Sequence, residues 1–118
     1  MNEIMPLLHI GKYTPKYPLI QGGMGVDISG PNLAGNVAKY GAIGTIASVG
    51  ICHKSPLFSP EKHNYFDINE IVLKECVTQA KEIAGPEGII AVNCMVALTD
   101  YDRQVRAAAE GGAHIIIS

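Results

Sequence analysis

The sequence predicts an α/β fold built on a parallel sheet. Short apolar runs alternate along the 118 residues with segments whose apolar residues recur at helical spacing. The resulting order is β-α-β-loop-α-β-α-β, and strands separated by helices pair in parallel through right-handed crossovers. The runs also lack the alternation of polar and apolar residues that a half-exposed strand shows, which indicates strands covered on both faces.

The first strand, helix and second strand are delimited by glycine and proline. Residues 17–21 form an apolar run before a glycine pair and predict a buried strand. Ser-Gly-Pro at 29–31 marks a helix start, because proline is tolerated in the first helical turn, and the helical spacing lasts until Gly41. Residues 42–47, apolar apart from Thr45, predict the second strand.

A long loop and the best-defined helix follow. Residues 48–66 contain two prolines and no sustained periodicity, which predicts a loop. Asp67 with Glu70 three positions later resembles a capping box and predicts a helix start. Gly85-Pro86 predicts where that helix ends.

The last three predicted elements are a strand, a helix and a strand. Residues 88–93 predict the third strand, and Thr99 opens a helix that the glycine pair 111–112 ends. Residues 113–118 predict the fourth strand.

A weak internal repeat favours a barrel over an irregular sheet. Ala-Lys-Tyr-Gly-Ala at 38–42 matches Ala-Glu-Gly-Gly-Ala at 109–113, 71 positions later, the spacing of two βα units. A complete TIM (β/α)8 barrel takes about 250 residues. We therefore expect residues 1–118 to be the N-terminal part of a single, truncated TIM-barrel domain, with about the first four strands and three helices.

Composition disfavours several classes of partner and site. Nine Lys and Arg against eleven Asp and Glu give a net charge of −2 without a basic run, so neither nucleic acid nor a membrane surface is predicted as a partner. No apolar stretch reaches the ~20 residues of a membrane span, and no signal peptide is recognisable, so we expect a cytoplasmic protein. Three cysteines without CxxC spacing predict reduced thiols and no metal site.

The ends of the predicted strands are the candidate binding positions, because ligands of parallel α/β folds bind at the carboxyl edge of the sheet. The glycine-rich segment 21–25 suits a planar cofactor or a phosphate, or is a turn without a ligand. A Rossmann fingerprint is excluded, because Ile28 stands where its third glycine would be. A P-loop is excluded too, because no Gly-Lys-Ser/Thr occurs.

Asn93 is the most informative polar residue at these strand ends. It interrupts an apolar run, so its amide either contacts a ligand or ties down its own βα turn. Met24 lines a cofactor face or fills the core. Cys94 is a reactive thiol or a small apolar filler. The four histidines have no metal-site spacing, and none is predicted to be catalytic.

Four segments in this order resemble the N-terminal half of the nitronate monooxygenase family, formerly called 2-nitropropane dioxygenases. They are Pro-Leu-Ile-Gln-Gly-Gly-Met-Gly at 18–25, Leu-Ala-Gly-Asn-Val-Ala-Lys-Tyr-Gly at 33–41, Ala-Ile-Gly-Thr-Ile at 42–46 and Ala-Val-Asn-Cys-Met at 91–95. The family is related to the flavin-dependent enoyl-[acyl carrier protein] reductases. The chain departs from the family pattern at Asp27, where a small residue is expected, and at Cys94, where an aliphatic residue is usual.

The resemblance implies a TIM barrel that binds FMN at the carboxyl ends of its strands. It assigns cofactor binding to Gly22, Gly23, Met24 and Asn93, and it places the catalytic histidine and the phosphate-binding loops beyond residue 118. It implies that the complete protein oxidises alkyl nitronates with O2 to a carbonyl compound and nitrite.

Two alternatives stay open. One is FMN-dependent reduction of an enoyl thioester by NAD(P)H, and the other is a non-catalytic fragment that needs a partner to complete its barrel. The 118-residue chain alone is expected to hold FMN weakly, to turn over no substrate and to associate or aggregate. The oligomeric state of the complete protein is not predicted.

Overall fold

The computed structural model describes residues 5–118. Three helices and three strands alternate in it. They are α1 (Pro31–Lys39), β1 (Ile43–Ala47), α2 (Tyr65–Ala84), β2 (Ile89–Asn93), α3 (Tyr101–Gly111) and β3 (Ile115–Ile117), with a short 3-10 helix at Pro60–Lys62. The strands form one parallel sheet in the order β1-β2-β3, with Ile43 opposite Ile89 and Ala91 opposite Ile115. The predicted α/β class is confirmed, and the arrangement is compatible with part of a barrel.

The two faces of the sheet have different cores. On one face, residues of all three helices pack against Ile46, Ile90 and Val92. On the other face, Ile43, Ile89 and Ala91 are covered by side chains of residues 8–13 and of β3. Every residue of β1 is buried, as expected for a strand covered on both faces.

Helix α1 lies directly on β1 because Gly44 has no side chain. A Cβ atom added to Gly44 would come within 1.8 Å of the Ala34 carbonyl oxygen, a distance that no real side chain tolerates. Ala34 is fully buried in α1. The helix and the strand therefore touch backbone to backbone at this point.

The predicted first strand is wrong in extent. Residues 17–21 form only an isolated parallel bridge between Ile20 and Ile43, although Ile43 N–H donates to the Leu19 carbonyl and Gln21 N–H to the Ile43 carbonyl. The main chain turns away from β1 after Gln21, so the ladder stops. The described residues thus contain three strands where the sequence predicted four.

The predicted capping box at Asp67 is also wrong. Helix α2 begins at Tyr65, and its N-cap residue Asn64 makes no capping hydrogen bond. The Asn64 amide instead accepts from Ser59 N–H and donates to the Leu57 carbonyl, which closes the preceding loop. Asp67 and Glu70 face α3, where both carboxylates bind Arg103.

The remaining boundaries differ from the predictions by one or two residues. Helix α3 begins at Tyr101 with Asp100 at its N-cap, and β3 is limited to Ile115–Ile117. Among residues 5–118, no helix is long and apolar enough to cross a membrane.

Candidate functional site

The candidate site lies at the carboxyl edge of the sheet. Asn93 is the last residue of β2, and it stands in register with Ala47 of β1 and Ile117 of β3. Its carbonyl oxygen accepts a hydrogen bond from Ser48 N–H at 3.1 Å. The backbone of Asn93 therefore ties together the ends of two strands.

The side-chain amide of Asn93 is not used by its own turn. It is half-buried, and no hydrogen bond of this amide is found among residues 5–118. Cys94 N–H, the next donor along the chain, is bound by the Ile117 carbonyl. The residues described thus give no support to the interpretation in which Asn93 holds the βα turn through its side chain. The amide is available to a ligand.

Gly23 lies against Asn93 across a large separation in sequence. A Cβ atom at Gly23 would be 3.1 Å from Asn93 Cβ and 3.2 Å from Thr45 Cγ2. Both distances are tighter than ordinary contacts, so a side chain at position 23 would press on both neighbours. The expected meeting of the glycine-rich segment and Asn93 is observed at this residue.

Gly22 and Met24 occupy the same turn but face outward. Nothing lies within 4 Å of a Cβ built on Gly22. Met24 is 61% exposed, so it is not core filler. The three residues 22–24 thus present exposed backbone beside Asn93, and only Gly23 is packed against it. Cofactor binding by these four residues stays a prediction.

The Thr45 hydroxyl is a further polar group beneath this turn. Thr45 is 1% exposed, and its Oγ1 atom has no hydrogen-bond partner among the described residues. A buried hydroxyl without a partner costs free energy of order 1–3 kcal/mol, and such positions occur at sites that bind ligands or ordered water.

Cys94 is a structural residue. Its side chain is fully buried in the core on the helix face of the sheet. Burial raises the pKa of its thiol, which outweighs the opposing effect of a hydrogen bond with Ser48. Because a reactive thiolate requires access as well as a lowered pKa, the complete burial of Cys94 favours a packing role over reactivity.

The contacts of the His53 and His114 side chains lie outside the candidate site. His53 packs against Phe58 and Tyr65 in the loop after β1. The Nδ1 atom of His114 accepts a hydrogen bond from Ile90 N–H at 3.0 Å, near the amino end of β2. No group of three or more potential metal ligands occurs in residues 5–118.

A buried polar network behind the strand ends was missed by the sequence analysis. Ser48 Oγ donates to Gln104 Oε1, and Gln104 Nε2 donates to Asp100 at 2.9 Å. Asn69 Nδ2 donates to the Ser48 carbonyl at 3.1 Å, and Asn69 Oδ1 accepts from Cys52 N–H. The network connects the end of β1 to α2 and α3. Little in the sequence indicates this network, because polar residues within a helix, such as Asn69 and Gln104, are usually exposed to solvent.

Comparison with known proteins bears on the family of this chain. The family model for nitronate monooxygenase matches residues 7–118. The chain belongs to the nitronate monooxygenase family. No curated protein matches the chain at a significant level. The match to the family model confirms the resemblance noted from the sequence.

Nitronate monooxygenases are oxidoreductases and are generally flavin-dependent. The geometry at the sheet edge fits the ring system of a flavin. Gly22 leaves the backbone open to a flat group, and the Asn93 amide, against which Gly23 packs, offers both a donor and an acceptor.

Asp27, which departs from the nitronate monooxygenase pattern, has an unusual backbone conformation. Asp27 adopts a left-handed φ of 58°, the region in which glycine is favoured and aspartate is tolerated. Its carboxylate forms an ion pair with Lys54 at 3.3 Å. The acidic side chain is therefore directed to the loop after β1.

Proposed function

We propose that this chain forms the amino-terminal part of an FMN-dependent enzyme that oxidises alkyl nitronates with O2 to a carbonyl compound and nitrite. The observation that carries the proposal is the unpartnered Asn93 amide beside Gly23, at the carboxyl edge of a parallel sheet in a nitronate monooxygenase chain. We also propose that the sheet belongs to a TIM barrel, whose ligands bind at this edge.

The described residues would contribute binding and orientation. FMN supplies the electron transfer between substrate and oxygen when it is bound. Asn93 would hydrogen-bond the edge of the flavin ring, and the backbone of residues 22–24 would lie along its face. Because Gly23 has no side chain, the turn can pack closely against Asn93, and the open space beside Gly22 would leave room for a planar group. No residue of this chain is proposed as catalytic.

The experiment uses the complete gene product that carries this chain. Its visible absorbance reports bound flavin, and its steady-state rate is measured with an alkyl nitronate in air, with nitrite as the quantified product. We expect stoichiometric FMN and O2-dependent nitrite release. Reduction of an enoyl thioester by NAD(P)H without nitrite release would support the alternative enoyl reductase. A protein that binds no FMN would overturn both activities.

A further inference from the structure

The Gln21 side chain takes the place of a peptide group at the edge of β1. The main chain leaves the sheet at Gly22, but the ladder continues for one more step through the Gln21 amide. Thr45 N–H donates to Gln21 Oε1 at 2.8 Å, and Gln21 Nε2 donates to the Thr45 carbonyl at 3.1 Å. Both backbone groups of Thr45 on this edge are therefore satisfied by a single side chain.

The same amide reaches the glycine-rich turn. Gln21 Nε2 lies 2.8 Å from the Gly22 carbonyl oxygen and 3.2 Å from Ser29 Oγ. Ser29, which is 2% exposed, accepts from Met24 N–H at 2.8 Å through its hydroxyl. Its own N–H donates to the Met24 carbonyl at 2.9 Å. Ala47 N–H of β1 donates to the Ser29 carbonyl at 3.1 Å. The turn is thus fastened to β1 at both ends, by Gln21 and by Ser29.

Such fastening has a physical consequence for two adjacent glycines. Glycine loses more conformational freedom on ordering than any other residue, so an unrestrained Gly22-Gly23 segment samples many backbone shapes. For a ligand that requires one backbone shape, the apparent Kd is the intrinsic Kd divided by the fraction of molecules that adopt this shape. Side chains that hold the turn in one shape therefore raise affinity without touching the ligand.

We propose that Gln21 and Ser29 are positioning residues that hold the backbone of residues 22–24 so that Gly23 faces Asn93. The role in ligand binding rests on the proposed FMN site. The role in shaping the turn does not, because it follows from the hydrogen bonds of Gln21 and Ser29 alone.

The test combines amide hydrogen exchange with FMN titration in the complete gene product. Gln21→Met keeps the length of the side chain and removes its hydrogen bonds, and Ser29→Ala removes only the hydroxyl. We expect exchange to accelerate about tenfold or more at Thr45 in the first variant and at Met24 in the second, since each amide loses its acceptor. Exchange in β2 is expected to stay at the wild-type rate, and the Kd for FMN to rise about tenfold.

Two further variants make the test specific. Gln21→Glu has the same size as the native side chain but cannot donate to the Gly22 and Thr45 carbonyls, so it is expected to weaken FMN binding like Gln21→Met. Asn36→Ala removes an amide that donates to a backbone carbonyl on the exposed side of α1, and it serves as the matched control with wild-type FMN affinity.

Each outcome decides one part of the proposal. Unchanged exchange at Thr45 in Gln21→Met overturns the positioning role, whether or not FMN binds. Faster exchange across β2 as well overturns it too, because the effect is then global. Local loosening with unchanged FMN affinity overturns the role in binding. A wild-type protein without FMN affinity overturns the proposed function instead, and the exchange data still decide the shape of the turn.

Discussion

Asn93 is the residue on which the proposed cofactor site depends most. No hydrogen bond of its amide is found among the described residues, so removing the amide leaves no protein partner there unsatisfied. We expect Asn93→Ala to weaken FMN binding by about 0.5–3 kcal/mol, the range for a lost hydrogen bond, while the fold persists. Titration of the apoprotein with FMN, followed by flavin fluorescence, measures the change.

A second substitution separates the two functions of the amide. Asn93→Asp keeps the size of the side chain but removes its donor, so it should weaken FMN less than Asn93→Ala if the acceptor is also used. Wild-type affinity in both variants would contradict an FMN contact at this position.

His114 makes stability depend on pH. Burial lowers the pKa of its imidazole, and the positive charge of Lys81 lowers it further. The unfolded chain, with a histidine pKa of about 6.5, therefore binds a proton more readily than the folded chain. The contribution of neutral His114 to the free energy of unfolding is fully present above a pH of about 6.5. It is lost as the pH decreases towards the lowered pKa of the folded state.

Urea unfolding at several pH values tests this prediction. His114→Gln should flatten the decrease in unfolding free energy below pH of about 6.5. His63→Asn is the control, because His63 is exposed and its φ of 51° is one that asparagine also adopts. Equal slopes in the wild type and in His114→Gln would show that His114 is not responsible.

At the scale of elements, the contact between α1 and β1 depends on one glycine. A methyl group at Gly44 would overlap the Ala34 carbonyl, so Gly44→Ala must push the helix off the strand. Overpacking of this kind costs about 1–3 kcal/mol or more. We expect a lower urea midpoint for Gly44→Ala, whereas Gly22→Ala, which meets no atom within 4 Å, should stay within about 0.5 kcal/mol of the wild type. Similar midpoints for the two variants would contradict the close approach.

Some features of these elements could be predicted from the sequence alone. The order of helices and strands was predictable, because apolar runs and helical periodicity depend on neighbouring residues only. The position of Asn93 at the end of β2 was predictable because a polar residue that closes an apolar run is conspicuous, and its role in cofactor binding stays a prediction.

Other features depend on partners that are distant in sequence. Asp67 resembles a cap, but its partner Arg103 lies on another helix. Gln21 looks like an ordinary strand end, and its role becomes visible only when Thr45 is beside it. Neither pairing has a signal in the local sequence.

At the scale of the whole molecule, a substantial apolar surface is exposed. Leu19, Ile20 and Met24 are all more than 40% exposed. Within the described residues, β3 pairs with β2 alone, and its three isoleucines are only partly buried. Unpaired strand edges with apolar side chains promote association between chains.

We therefore expect the isolated 118-residue chain to self-associate. Size-exclusion chromatography with light scattering at several concentrations should give masses above that of the 12.6 kDa monomer. Ile117→Lys, which places a charge at the edge strand, should shift the distribution towards monomer. A monodisperse monomer with stoichiometric flavin would contradict this expectation and the truncated-barrel interpretation.

The parallel pairing of the strands also determines how far apart in the chain the pairing segments are. Ile43 pairs with Ile89, 46 positions later, whereas Ala91 pairs with Ile115, only 24 positions later. Closing the longer loop costs about 0.6 kcal/mol more in chain entropy. Of these two pairings, the one between β2 and β3 is thus the less expensive to form first, and β1 pairs with β2 afterwards.

This order has a kinetic signature. Ala107→Gly in α3 should mainly slow refolding, whereas Ala38→Gly in α1 should mainly accelerate unfolding. Both alanines are buried on the same side of the sheet, so the two variants lose comparable contacts. Stopped-flow refolding that is slowed by the α1 substitution alone would instead place β1 in the folding nucleus. The pairing of β1 with β2 is therefore expected to form after the pairing of β2 with β3.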